Sequence, residues 1–175
     1  RKLPRESFST PGKASRMRLL FLSNFYPPES RGGYEQWCQE TLNGLRSRGH
    51  TVAVLTSDFR KNKLSAADPA WVRRALYLEM ELASWKNAFQ FFTHRTKREA
   101  QNLNCVREAL QNFKPDAVLV WGMWNLQRSI PVLAEELMPG KVAYYVGDYW
   151  LTLLNQFENY WNAPARNLLT GIPKV

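Results

Sequence analysis

At 175 residues, 45% hydrophobic and 22% charged with seven Trp, the chain has the length and apolar content of one globular domain, which excludes a disordered segment. Lys and Arg outnumber Asp and Glu 24 to 15, a formal charge of +9 with a pI near 9.8, yet no Lys/Arg block or nucleic-acid motif occurs and no nucleic-acid partner is expected. No apolar run approaches the roughly 18 residues that a membrane-crossing helix needs, so none is expected.

The amino-terminal stretch carries Arg1, Lys2, Arg5, Lys13 and Arg16 against Glu6 alone, with Pro, Ser and Gly but no apolar period. Residues 1–16 therefore read as a basic flexible extension ahead of a single domain at 17–175. Cys38 and Cys105 form no CxxC pair and no apolar leader opens the chain, which points to a reduced, cytoplasmic protein.

In chain order, the apolar residues 18–23 predict a buried strand. Residues 24–35, Asn-Phe-Tyr-Pro-Pro-Glu-Ser-Arg-Gly-Gly-Tyr-Glu, then form a strand-to-helix turn. The helix at 34–48 has Tyr34, Cys38, Leu42 and Leu45 at helical spacing and ends at Arg46, Arg48 and Gly49. Gly32 and Gly33 stand at its start. Without side chains there, a ligand reaches the backbone closely, and the first helical N–H groups and the positive end of the dipole suit a phosphate. Two glycines also suit a plain surface loop. Their position favours the site, because ligands bind at the carboxyl ends of strands in parallel α/β sheets.

Residues 51–56 are β-branched and apolar, a second strand that completes a βαβ unit. A polar loop at 58–68 follows. Residues 71–82 alternate from Ala75 on, with Leu76, Leu78, Met80 and Leu82 on one face, and are assigned to a strand in preference to a helix. The longest helix is expected at 87–113, with Phe89, Phe92, Thr96, Ala100, Leu103, Val106, Leu110 and Phe113 inward and Lys114-Pro115 as its stop. Its outer face carries Arg95, Lys97, Arg98, Arg107 and Lys114, read as solvated, with contact to anionic lipid as the sharper alternative. A strand at 116–122, a short helix at 126–137, a strand at 141–146 and a helix at 150–160 complete the series. The alternation predicts an α/β fold: a doubly wound, mostly parallel Rossmann-like sheet with helices on both faces. Loops 24–33, 121–125 and 147–150 then face one crevice.

The strand Met17-Arg18-Leu19-Leu20-Phe21-Leu22, the turn Tyr26-Pro27-Pro28 to Gly32-Gly33-Tyr34-Glu35, and Arg48-Gly49-His50-Thr51-Val52 are joined by Lys114-Pro115-Asp116 and Asp148-Tyr149-Trp150. Together they resemble the amino-terminal, acceptor-side domain of a family-4 glycosyltransferase of GT-B fold, over residues 17 to about 160. The resemblance implies transfer of a sugar from a nucleotide-sugar donor, a substrate rather than a cofactor, to a carbohydrate or lipid-linked acceptor, with no bound metal. It assigns the donor diphosphate contact to Gly32 and Gly33. The family's carboxy-terminal domain, which holds most of the donor site, has no counterpart in these residues, so the chain is expected to be half an enzyme and inactive alone. Many relatives place a His just before the position of Asp148, where this chain has Gly147. Asp148 is the catalytic candidate that remains, although a carboxylate there also fits a helix cap.

Tyr26, Glu35, Trp121, Trp124, Tyr149 and Trp150 are candidates for holding the acceptor, the aromatic faces offering stacking area to a sugar or lipid. Core packing is the plainer reading of the indoles. His50 and His94 are poor catalytic candidates by position, and no His/Cys/Asp/Glu cluster has metal-ligand spacing. Two other readings stand beside this one. One is a non-catalytic interaction module; the other is a different nucleotide-binding Rossmann domain, disfavoured because no GxGxxG follows the first strand. Peripheral contact with the inner face of the membrane stays open.

Overall fold

The computed structural model describes residues 15–59, 68–80 and 90–165. Strands β1 (Arg18–Ser23), β2 (Thr51–Ser57), β3 (Val72–Leu76), β4 (Ala117–Gly122) and β5 (Val142–Tyr144) form one sheet in the order β3-β2-β1-β4-β5, with every neighbouring pair parallel. Among the described residues the main helices are α1 (Gly33–Ser47), α2 (Arg95–Phe113), α3 (Ser129–Leu137) and α4 (Gln156–Asn162). This is the expected Rossmann-like α/β architecture.

Alternation along the strands sorts the core into two layers. Leu19, Phe21, Val52 and Val54 pack with Cys38 and Leu42 of α1, while Leu20, Leu22, Leu55, Val118 and Val120 meet Val106 and Leu110 of α2 and Ile130 and Leu133 of α3. A strand covered on both faces needs apolar residues at successive positions, which is why β1 reads as an unbroken run.

The helix expected at 126–137 begins at Ser129 and the strand expected at 141–146 spans Val142–Tyr144, and three other expected elements differ further. The strand anticipated over 71–82 ends at Leu76. Beyond it, two buried amides replace sheet pairing: Asn102 accepts from Tyr77 N and donates to Tyr77 O, at 2.7 and 2.8 Å, and Asn125 does the same for Met80 at 2.9 and 2.8 Å. The alternation fails there, since Leu78 and Glu79 are both buried; residues 81–82 lie outside the described residues.

The long helix begins at Arg95 rather than 87. A helical turn at 90–93 precedes it, and His94, with φ −109° and ψ 5°, breaks the helix between them. The break resets the phase. Phe91 is buried, Phe92, Thr96 and Ala100 are exposed, and α2 turns Asn102, Val106, Ala109 and Leu110 inward; residues 87–89 lie outside the described part. Lastly, the helix expected at 150–160 starts at Gln156, where the Asn155 side chain caps it by accepting from Glu158 N at 2.8 Å. Of the loop expected at 58–68 and the extension expected at 1–16, residues 60–67 and 1–14 are likewise outside the described residues. No helix among the described residues is long and apolar enough to cross a membrane.

Arginines lie over several of the aromatic rings. Arg18 lies over Phe113, Arg46 over Trp71, Arg95 over Phe157, Arg98 over Tyr77 and Arg128 over Trp150, at 4.3 to 5.6 Å from the ring centres. Of the stripe anticipated as solvated, Arg95 and Arg98 are thus engaged, and Arg98 also donates to Gln90; Lys97 is exposed.

Arg74 is a buried charge in the α1 layer. Its side chain is 1% exposed; it pairs with Asp68 at 2.9 Å and donates to the carbonyls of Tyr26 and Pro27 at 3.0 and 2.7 Å. The guanidinium therefore ties β3 to the loop that leaves β1, whose Pro27-Pro28 peptide is cis. Removing one member of such a set leaves the rest desolvated without partners. Arg74→Met is expected to lower unfolding free energy by about 3 kcal/mol in urea titration, and Arg74→Met with Asp68→Leu to lower it less.

Glu79, also buried, accepts from Gln156 N at 2.8 Å and so anchors α4. Burial raises its carboxyl above the ordinary Glu value; Arg95 and Arg128 oppose that shift without cancelling it. A raised acid contributes most below its unfolded value, and that contribution is lost as pH climbs through the folded one. Glu79→Gln should therefore melt at a higher temperature than the parent at pH 7, with the gap closing as the pH falls toward 4, as read by calorimetry across that range.

Candidate functional site

Along the sheet, the chain proceeds outward from β1 to β3, then returns to lay β4 on the other side of β1. The direction of winding reverses between β1 and β4, and their carboxyl ends diverge to leave a crevice. A cavity of about 170 Å³ lies there, lined by Ser23 and Asn24 after β1, residues 31–35 at the start of α1, Gly122 and Trp124 after β4, and Asp148 and Trp150 after β5. The three loops expected to meet do meet.

Buried polar groups knit the floor. Asn24 donates through its backbone N to Gly122 O at 2.8 Å, accepts at its carbonyl from Ser57 N at 3.3 Å, and accepts at Oδ1 from Asn125 N at 3.2 Å. One residue thus joins the exits of β1, β2 and β4.

The Gly32-Gly33 turn opens α1. Gly32 is the N-cap and has no side chain to cap with, and its backbone is extended, at φ 175°. The Glu35 carboxylate instead reaches back to accept from Arg31 N and Gly32 N, both at 3.1 Å, and from the Ser30 hydroxyl at 3.2 Å. A Cβ added at Gly32 would meet nothing within 4 Å, whereas one at Gly33 would touch the Trp37 indole at 3.6 Å. Gly32 therefore leaves open space where a side chain would stand, although its own N–H is given to Glu35 and its carbonyl accepts from Ser30 Oγ at 2.8 Å. Arg31 completes this end: its guanidinium sits 5.7 Å from the centre of Phe25 and 5.3 Å from that of Phe59, and it makes no ion pair with a described residue. A cation and a helix amino terminus side by side favour an anion.

The opposite wall is built around Tyr34. Its carbonyl accepts from Trp121 Nε1 at 2.8 Å, and its hydroxyl accepts from Gly147 N. The ring fills space that two missing side chains leave. A Cβ at Gly122 would lie 3.2 Å from Tyr34 Cδ1, and one at Gly147 would lie 3.0 Å from Tyr34 Oη. Burial, ahead of the charge of Asp148, raises the phenol above its ordinary value, although the hydrogen bond from Gly147 opposes the shift.

Of the residues singled out from the sequence, Gly32, Gly33, Glu35, Trp124, Asp148 and Trp150 line the cleft. Asp148 is exposed, and its Oδ1 accepts from Trp150 N at 2.7 Å; it closes a turn two residues on rather than capping α4. Trp150 is 1% exposed, under Arg128, whose guanidinium donates to its carbonyl.

Three candidates do not line the cleft. Tyr26 is buried in the α1 layer, edge-on to Trp71 at 5.8 Å, and burial pushes its phenol up to about 12. Trp121 is buried and stacked on Tyr145, with centres 4.0 Å apart and planes 5° apart. Tyr149 is 79% exposed on the outer side of its loop. His50 accepts from Met17 N at the amino edge of the sheet, far from the cleft. Among the described residues no group of three His, Cys, Asp or Glu side chains could hold a metal.

Arg31, Asn24 and Tyr34 were not singled out from the sequence. Tyr34 was read as one of the apolar positions of α1 and as part of the Gly32–Glu35 motif, with no ligand role; the signal for such a role was a Gly at each of two strand ends, Gly122 and Gly147. No family model matches the chain, and no curated protein sequence matches it.

The close approach of Tyr34 to Gly147 makes a double-mutant cycle informative. Gly147→Ala should cost about 1–3 kcal/mol by crowding the ring, and appreciably less in a Tyr34→Phe background, where the nearest atom is gone. Additive losses in chemical denaturation would mean that the ring is free to move aside.

Proposed function

We propose that the chain is the acceptor-side domain of a glycosyltransferase of GT-B type, with the cleft between β1 and β4 taking the diphosphate of a nucleotide-sugar donor at Gly32 and Gly33 and a carbohydrate or lipid-linked acceptor nearby. The observation that carries this reading is the start of α1, where no N-cap side chain covers the first helical N–H groups, a Cβ at Gly32 would meet nothing within 4 Å, and Arg31 lines the same cleft. Trp124 gives the cleft an aromatic wall that suits a sugar face. Asp148, with one carboxylate oxygen held by Trp150 N, offers the other to a hydroxyl or as a weak base.

A second reading rests on a different surface. Val146, Tyr149, Leu151, Leu153 and Leu154 are exposed on one loop beside the cleft, between 46 and 79% each. Apolar side chains gathered in this way mark a surface that another body covers. In an interaction module that body is a partner protein; in a glycosyltransferase it is the second domain, across the cleft.

The test is a titration of the 15N-labelled chain with UDP, UDP-glucose, GDP-mannose and uridine, read at the amides of residues 32–35. These amides are expected to move with every diphosphate and not with uridine, at Kd values in the millimolar range. Gly32→Val should weaken that binding about tenfold or more while leaving the melting temperature unchanged, since its side chain enters open space. Diphosphates that leave residues 32–35 unmoved would overturn the phosphate site and favour the interaction module.

A further inference from the structure

We infer that Tyr34 is a ligand-binding residue of the cleft, its hydroxyl donating to an oxygen of a sugar-type hydroxyl whose own proton Asp148 accepts. This rests on the reading of the cleft as a nucleotide-sugar site and adds which groups recognise the sugar. The hydroxyl of a phenol is one donor and an acceptor. At Tyr34 the acceptor side is occupied by Gly147 N–H, so the O–H proton remains to be given elsewhere. The ring has little freedom to turn away. Its backbone carbonyl is held by the Trp121 indole, its edge meets Tyr145 at 5.5 Å, and its far end fits where Gly122 and Gly147 lack side chains.

Packing alone explains a ring there, but not why its hydroxyl stands within reach of Asp148, with which Tyr34 shares the lining of the cleft. A phenol is protonated at neutral pH in any case, and burial only raises its value further, so the group is a donor there. Asp148 uses Oδ1 on Trp150 N, and Oδ2 makes no hydrogen bond to a described residue. A fixed donor next to a carboxylate acceptor matches a hydroxyl group, which accepts from one and donates to the other, and matches it better than a phosphate, which Asp148 would repel. The anion end of the cleft, at Arg31 and Gly32, and the hydroxyl end, at Tyr34 and Asp148, are thus set apart on the two sides of residue 33.

The hydroxyl belongs either to the donor's sugar or to an acceptor sugar, and three probes separate them: UDP, UDP-glucose and methyl α-glucopyranoside, titrated into the parent chain, Tyr34→Phe and Asp148→Asn and followed at the Gly147 and Gly32 amides. Tyr34→Phe keeps the ring, and it is expected to leave the Kd for UDP unchanged while weakening a sugar-bearing probe about tenfold, the scale of one hydrogen bond. Asp148→Asn should weaken the same probe. A loss confined to UDP-glucose assigns the donor sugar, and a loss confined to the glucoside assigns the acceptor. Equal weakening of all three probes by Tyr34→Phe would make the hydroxyl merely structural, and no weakening would likewise overturn the inference. UDP that moves Gly32 while neither sugar probe perturbs Gly147 would sink the hydroxyl site and leave the phosphate site standing. No response to UDP or to either sugar probe anywhere in the parent would remove both.

Discussion

A parallel strand at the centre of a sheet must end somewhere, and at its end the backbone loses two ladders at once while still surrounded by protein. The orphaned N–H and C=O groups need partners, because a buried one left alone costs about as much as a lost hydrogen bond. Here that constraint falls on β1, and Asn24 meets it by joining Gly122, Ser57 and Asn125. The crevice follows from this knot. With the exits of β1, β2 and β4 pinned together, the loops above them are free to part, and everything that lines the cleft is placed relative to one buried amide.

The anion end and the hydroxyl end of the cleft are held by different means. Glu35 folds the Gly32 turn by taking the two N–H groups that precede the helix, which leaves those of its first turn without a side-chain cap. That arrangement is compact but local. Tyr34 instead reaches across to the exits of β4 and β5, so the geometry of its hydroxyl depends on three strands and on Trp121. Arg74 supports both from below, because the loop carrying residues 26–28 leads into the glycine turn.

What the sequence made legible was whatever repeated. Buried strands such as 18–23 and 51–56 are continuous apolar runs, and their boundaries came out within a residue of the structure. The glycine pair was readable as the start of a helix at a strand end, and that is where it lies. Elements held by single side chains were not legible in the same way. The segment after β3 is fixed by Asn102 and Asn125, which are distant in sequence and look like ordinary surface residues of a helix and a loop. Arg74 was hidden by the alternation itself: a period of two puts it on the face of Leu76 and Leu78, whereas the register shifts between Arg74 and Leu76, so that Val72 and Arg74 lie in the α1 layer and Leu76 and Leu78 in the other. The phase of the long helix was lost because nothing around His94 announces a break, its residues being good enough helix formers on both sides. Tyr34 escaped because an aromatic at helical spacing is read as core, and only the two distant glycines reveal what its ring is for.

The isoelectric point near 9.8 takes on another meaning in light of the arginines that lie on rings. Arg18, Arg31, Arg46, Arg95, Arg98 and Arg128 each spread a flat guanidinium across an aromatic face. A planar cation is the side chain best able to shield such a face from water while remaining hydrated at its edges. A chain rich in Trp, Tyr and Phe that roofs its rings in this way becomes basic whatever it binds. Its alkalinity is then in part a tint left by the roofing material, and replacing these arginines with lysine would preserve the charge while stripping the roof.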